Sequence, residues 1–197
     1  MAKTDPQAVK KEEKRRTRNW VITIFFATIA ISATISMVSD FVMGKSSMIV
    51  AFLILLMIVF IGIIFDIVGM AVATADEKPF HAMASRKVKG AKECIRLLRN
   101  AERVSSICND VVGDICGVVS GSASATIAAQ ILKNFDFSWP QIISLVMSAL
   151  CAGLTVGGKA IGKSIAVNSC TAIVHTVGKI VFRFQKLTGA DGKKKRK

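Results

Sequence analysis

The sequence predicts an all-α integral membrane protein with about four transmembrane helices plus basic amphipathic juxtamembrane helices. Three observations carry that expectation. Of 197 residues 52% are hydrophobic and the mean hydropathy is +0.50, yet the formal net charge is +14. Apolar and basic residues occupy separate segments, which reconciles the two figures. The apolar runs reach twenty residues or more, enough to cross a hydrocarbon core of about 30 Å.

Residues 1–19 are polar and basic, with Lys10, Lys11, Lys14, Arg15, Arg16 and Arg18 ahead of the first apolar run. The positive-inside rule keeps such a tail in the cytoplasm, and its composition predicts disorder. The first span, residues 20–43, is longer than a signal-peptide core and has no clean cleavage site, so it reads as a retained helix. Trp20 sits where an interfacial anchor belongs, and Asp40 reads as a solvated cap at the far boundary. Gly44-Lys-Ser-Ser47 turns the chain back.

A second unit, residues 48–185, opens with a Leu/Ile/Val/Phe run to about residue 73 that holds Asp66 and breaks near Pro79. Between residues 80 and 103 the pattern changes. Phe80, Met83, Ala84, Ala91, Ile95 and Leu98 form an apolar stripe at helical spacing, and Arg86, Lys87, Lys89, Lys92, Arg96 and Arg99 fill the other side. That pattern suits one helix, or two broken at Gly90, lying on the inner leaflet. A third span follows to about residue 132, an outer turn holds Trp139, and a fourth span over 141–156 loosens at Gly157-Gly158. Ser164 then caps a second amphipathic helix with Ile173, Val177, Ile180 and Phe184 on its apolar face and His175 on its solvated one. Residues 186–197 end in the polybasic run Gly192-Lys-Lys-Lys-Arg-Lys197. Each such charge near an anionic headgroup is worth about 1 kcal/mol. The topology is multi-pass in the cell membrane with both termini cytoplasmic, and anionic lipid headgroups are expected partners.

The third span carries the chemistry. In Ser105-Ser-Ile-Cys-Asn-Asp-Val-Val-Gly-Asp114, an α-helix puts Asp110 and Asp114 one turn apart on one face. Gly113, Gly117 and Gly121 recur every fourth residue, a ridge on which another helix can close. A carboxylate at the centre of an inserted helix costs about 2.5–3.5 kcal/mol, so intramembrane acids are functional candidates by default. Asp66, Asp110 and Asp114 fall at similar depth, and with these boundaries no Lys, Arg or His lies within a span to neutralise them. Either the acids are protonated or a cation supplies the charge. Mg2+ suits carboxylate, amide and hydroxyl oxygens and keeps part of its water shell. Asn109, Ser105, Ser106 and Ser120 add neutral oxygens. The structural alternative is that these polar groups only bond to neighbouring helices and fix their packing.

Other classes of function find less support. The basic residues flank membrane segments without an aromatic stacking platform, which argues against nucleic acid. No nucleophile–base pair, phosphate loop or hydrolase motif is present, so no enzyme chemistry is expected. Cys94, Cys108, Cys116, Cys151 and Cys170 show neither a C-x-x-C pair nor regular spacing, which disfavours a disulfide framework or zinc site.

From about residue 63 to 184 the order of motifs resembles the transmembrane domain of the CNNM/CorB/CorC magnesium-transporter family. The resemblance rests on four stretches: Ala73-Thr-Ala-Asp-Glu77, the basic segment from Lys92 to Arg103, Gly113-Asp114, and Gly158-Lys-Ala-Ile-Gly-Lys-Ser-Ile-Ala-Val-Asn168. They stand where the family has small residues before a Glu, a juxtamembrane helix, a Gly-Asn pair and a closing Gly-Glu-x-x-Pro-Lys. Lys159 and Gly162 replace that closing Glu and Pro, and the family's cytosolic CBS and C-terminal domains have no counterpart. The resemblance implies a homodimer that binds or transports a divalent cation, Mg2+ or Co2+. It carries over Asp114 as the central ligand and Glu77 as the acid at the inner mouth; the reading of the spans themselves adds Asp110 and Asp66 as ligands or charge-setting neighbours, with Asn109 and Ser106 as neutral oxygens. The alternative is a membrane scaffold or adaptor that keeps the fold without the ion path.

Overall fold

The computed structural model describes residues 6–134 and 139–187, all in helices or the short links between them. In chain order these are α1 (Pro6–Lys45), α2 (Met48–Thr74), α3 (Lys78–Ser85), α4 (Ala91–Arg99), α5 (Ala101–Ser106), a π-helical segment (Ile107–Gly113), α6 (Asp114–Asn134), α7 (Pro140–Asn168) and α8 (Cys170–Leu187). Among the described residues four stretches are long and apolar enough to cross a membrane: Arg18–Gly44, Met48–Thr74, Ala101–Asn134 and Pro140–Asn168. The protein has an all-α membrane fold.

Two boundaries differ from the sequence reading, those of α1 and α7, while α2 stops at Thr74 as its apolar run implies. Helix α1 begins at Pro6, well before the apolar run. Residues 7–16 are mostly Gln, Ala, Lys, Glu and Arg, all good helix formers, so the apolar helix propagates outward into them. Helix α2 ends before Pro79, which sits in the first turn of α3, where its missing N–H costs nothing. Helix α7 runs unbroken through Gly157, Gly158 and Ser164 to Asn168, so Ser164 is not a cap and the fourth span does not stop at Val156. The polybasic run at 192–197 lies outside the described residues.

Tertiary packing explains the uninterrupted α7. Gly158 and Gly162 are one helical turn apart and face α2, where Ile63 lies against the first and Ile67 against the second. A Cβ on Gly162 would come 2.8 Å from Ile67 Cγ1. The two helices therefore close to a distance that larger residues forbid, and this packing offsets the helix cost of glycine, about 1 kcal/mol per residue.

Helix α2 is the hub and touches α1, α4, α5, α6, α7, α8 and the π-helical segment. Toward its N-terminal end Ala51, Leu55 and Val59 are buried with Met43, Ala123, Ile127 and Cys151. Toward its C-terminal end Ala71 and Val72 are buried with Phe80, Cys94, Leu98, Ala166 and Val174. Helix α1 lies at the edge, with Phe25, Phe26, Ile29 and Phe41 exposed, as a lipid-facing surface requires. It meets α6 through polar groups: Ser122 Oγ donates to Asp40 Oδ1 at 3.1 Å and Gln130 Nε2 to the Met43 carbonyl at 2.8 Å. Asp40 is thus an inter-helix acceptor rather than only a solvated cap.

The stretch after α2 is two helices, α3 and α4, divided where Gly90 takes φ +87°. That left-handed backbone suits glycine, and its surroundings demand it as well. A Cβ on Gly90 would meet the Lys179 and Gly178 backbone of α8 at 2.8–3.0 Å. Helix α4 buries Ala91, Cys94 and Leu98 and exposes Lys92, Arg96 and Arg99. On α8 the buried residues are Val174 and Gly178, one position over from the expected face. Ile173, Val177 and the half-exposed Ile180 instead line a groove against Ile64, Ile67 and Val68 of α2, while Phe184 is exposed. His175 is half-buried, and its Nε2 is enclosed without a hydrogen bond, so it is not the solvated residue that the pattern suggested.

Candidate functional site

Between the two apolar clusters lies a polar junction of three elements. Asp66 is on α2, about 12 Å along the helix from its C-terminal end. Lys159 is on α7, about 14 Å from that helix's C-terminal end. Its Nζ lies 3.7 Å from Asp66 Oδ1, with the carboxylate side chain 6% exposed and the lysine 21% exposed. Gly113, the last residue of the π-helical segment, faces the pair. A Cβ there would lie 3.2 Å from Lys159 Nζ and 3.4 Å from Asp66 Oδ1. A side chain at 113 would crowd both by a few tenths of an ångström.

Asn109 completes the junction from the π-helical segment. Its side-chain oxygen rests against Gly69, one turn from Asp66 on α2, and a Cβ on Gly69 would collide with it. Asn109 Nδ2 donates to Ser105 Oγ at 3.3 Å. Two acceptors are enclosed without a hydrogen bond: Asp66 Oδ2 and Asn109 Oδ1. Buried oxygens without donors are costly, about 1–3 kcal/mol each and more for a charged group. Such pairs of lone-pair donors suit a water, a proton or a cation. A π turn beside them is the kind of helix irregularity that clusters at functional sites.

The other expected site residues lie elsewhere. Asp110 and Asp114 are exposed rather than turned toward α2 and α7, because Gly113 and Cys108 occupy the inward face of this segment. Asp110 Oδ2 accepts a 2.7 Å hydrogen bond from Ser106 Oγ, so those two residues serve one another. Glu77, at the start of α3, lies 3.3 Å from His81 Nε2. Among the described residues no three His, Cys, Asp or Glu side chains gather closely enough to hold a metal ion. Asp66, Asp110 and Asp114 therefore form no shared cluster: Asp66 is the buried carboxylate, and Asn109 lies against Gly69, one turn along α2 from it.

The expectation that no cation lies within a span is overturned too. Lys159 falls inside the α7 span, which reaches Asn168 instead of stopping at Val156. The signal was present in the sequence: between Val156 and Asn168 there is no proline, and Ala160, Ile161, Ile165, Ala166 and Val167 continue the apolar character. The glycine ridge is also revised. A Cβ on Gly117 or Gly121 would meet no described residue within 4 Å, whereas Gly62 packs on Cys116, and Gly158 and Gly162 pack on α2. The oxygens on these elements that are enclosed without a donor are thus Asp66 Oδ2 and, against Gly69 one turn along α2, Asn109 Oδ1. No family model matches the chain, nor does any curated protein or solved structure, so the functional reading rests on this geometry.

Proposed function

We propose that the protein binds a divalent cation, Mg2+ or Co2+, between its membrane helices and carries it across the bilayer, with Asp66 as the anionic ligand and Asn109 as the neutral one. One observation supports this most: a buried carboxylate keeps an enclosed oxygen without a donor, and an amide oxygen in the same condition rests one turn away on α2, against Gly69. Mg2+ commonly takes one or two carboxylates and retains several waters, so a site this sparse suffices. Both termini on the cytoplasmic side would put the basic helices α3, α4 and α8 against anionic headgroups.

A second copy of the chain fits the exposed face of α6. Asp110, Asp114, Gly117 and Gly121 are on the outside of one chain, and two carboxylates facing lipid are costly. A homodimer that covers them relieves that cost and uses the open glycines as a close-packing surface.

The test is Mg2+ and Co2+ flux into liposomes holding the purified protein. Asp66→Asn is expected to abolish flux, and Cys116→Ala to leave it. The rival reading is a scaffold without an ion path, favoured by the charge balance that Lys159 already gives Asp66. It predicts no flux from any form and an effect of Asp66→Asn on stability alone.

A further inference from the structure

Lys159 poses a problem for any cation beside Asp66, and its geometry suggests how the problem is resolved. We propose that Lys159 is a tethered counter-ion: its ammonium holds the cation position at Asp66, and a divalent ion enters only as that ammonium withdraws. The inference rests on the cation-binding reading above and adds the regulation of that site.

Five features support a displaceable rather than a locked lysine. The Nζ–Oδ1 separation of 3.7 Å is beyond hydrogen-bond length, so the pair is held by charge and not by a short directional bond. The ammonium has three donors, yet Asp66 Oδ2 and Asn109 Oδ1 remain without one. A firmly seated lysine would have satisfied at least one of these. The lysine side chain is 21% exposed while the carboxylate is 6% exposed, so the lysine reaches the surface of the bundle and the anion does not. Its flexible four-carbon stem allows the head to leave while the backbone stays in α7. Gly113 leaves the space beside the pair without a side chain, and Lys159 Nζ is the nearest atom to the point where a Cβ would stand.

The charge argument gives the direction. With the ammonium in place the junction is neutral, and a doubly charged ion meets repulsion at close range in a weakly screening interior. With the ammonium withdrawn, Asp66 offers two oxygens and Asn109 one, and the ion's retained waters complete the shell. Occupancy by lysine or by the ion is then mutually exclusive, so Lys159 sets the threshold concentration at which the site fills.

Binding of Mg2+ alone, followed as a rise in thermal unfolding midpoint of the purified full chain in detergent, tests this. Lys159→Gln is expected to lower the Mg2+ concentration for half-maximal stabilisation at least tenfold, and Asp66→Asn in that background to remove the response. Lys159→Arg keeps the pair and the fold but engages the carboxylate with a bidentate fork, so it is expected to raise that concentration at least tenfold. If Lys159→Gln and Lys159→Arg both respond to Mg2+ like the wild type while Asp66→Asn abolishes the response, the counter-ion role is wrong and the cation site stands. If no form responds to Mg2+, both readings fall.

Discussion

Gly158 of α7 lies directly against Ile63 of α2, and one turn later Gly162 lies against Ile67. These two contacts fix the distance between the helices that carry Lys159 and Asp66. The position of the charged pair is therefore a consequence of where α7 has no side chains.

A methyl group at 162 tests that dependence. Gly162→Ala is expected to destabilise the bundle by about 1–3 kcal/mol through overpacking against Ile67. Gly153 of the same helix has open space around it, and Gly153→Ala is expected to gain up to about 1 kcal/mol from helix propensity. Unfolding of the two variants in detergent, side by side, gives the comparison. Equal effects would mean that the close approach of α7 to α2 does not set stability.

Much of the fold was legible because membrane helices declare themselves by length and hydropathy. The four spans, the turn at Ser46-Ser47 and the basic amphipathic segment all follow from runs and periodicity. What periodicity conceals is where a helix ends when tertiary contact decides. Gly157-Gly158 has the local look of a stop, yet α2 makes Gly158 a contact surface. From that one boundary came the placing of Lys159 after the fourth helix rather than within it, and with it the apparent excess of unneutralised acid. The facing of Asp110 and Asp114 was hidden for another reason. Spacing says that two residues share a face but not which way the face points.

Cys94 offers a check on the α4–α8 contact. Its Sγ donates to the Val174 carbonyl at 3.3 Å, and Gly178 gives it room. Burial pushes the thiol above its ordinary pKa, with the neighbouring Glu93 charge adding to the shift. The thiolate is the reactive form, so Cys94 is expected to resist maleimide at neutral pH. The folded state holds the proton more tightly than the unfolded one. Stability from this group is therefore intact below the ordinary thiol pKa and is lost as pH rises through the raised value. Gly178→Ala is expected to displace α8 and raise the labelling rate of Cys94 at least tenfold. Unchanged labelling would mean that α8 is not what shields it.

The polar clasp between α1 and α6 makes a separate prediction. Asp40 accepts from Ser122 at 3.1 Å and from Thr126 at 3.4 Å. Ser122→Ala with Thr126→Val leaves Asp40 without these donors and is expected to loosen α1 by about 1–3 kcal/mol. A cysteine pair placed across α1 and α6 would report the loosening as slower cross-linking. A cross-linking rate equal to the wild type would show that apolar packing alone docks α1.

The last prediction concerns the energetics of the buried pair itself. Removing one partner leaves the other charged and unpaired in a bundle with little water, and such changes cost about 3–5 kcal/mol. Asp66→Asn and Lys159→Gln are each expected to fall in or near that range in the absence of divalent ions. The double variant places two neutral amides at the junction, removes both desolvated charges and keeps polar atoms that can bond to one another. It is expected to be close to the wild type in stability, so that the coupling between the two positions is several kcal/mol. Unfolding of all four proteins in detergent without Mg2+ closes this cycle. Additive effects of the single changes would mean that Lys159 and Asp66 do not sense one another, and that the lysine reaches the junction only to fill space. A strongly coupled pair means instead that each helix carries half of a neutral unit. That explains how a chain with a carboxylate this deep in an apolar bundle folds before any metal ion is bound.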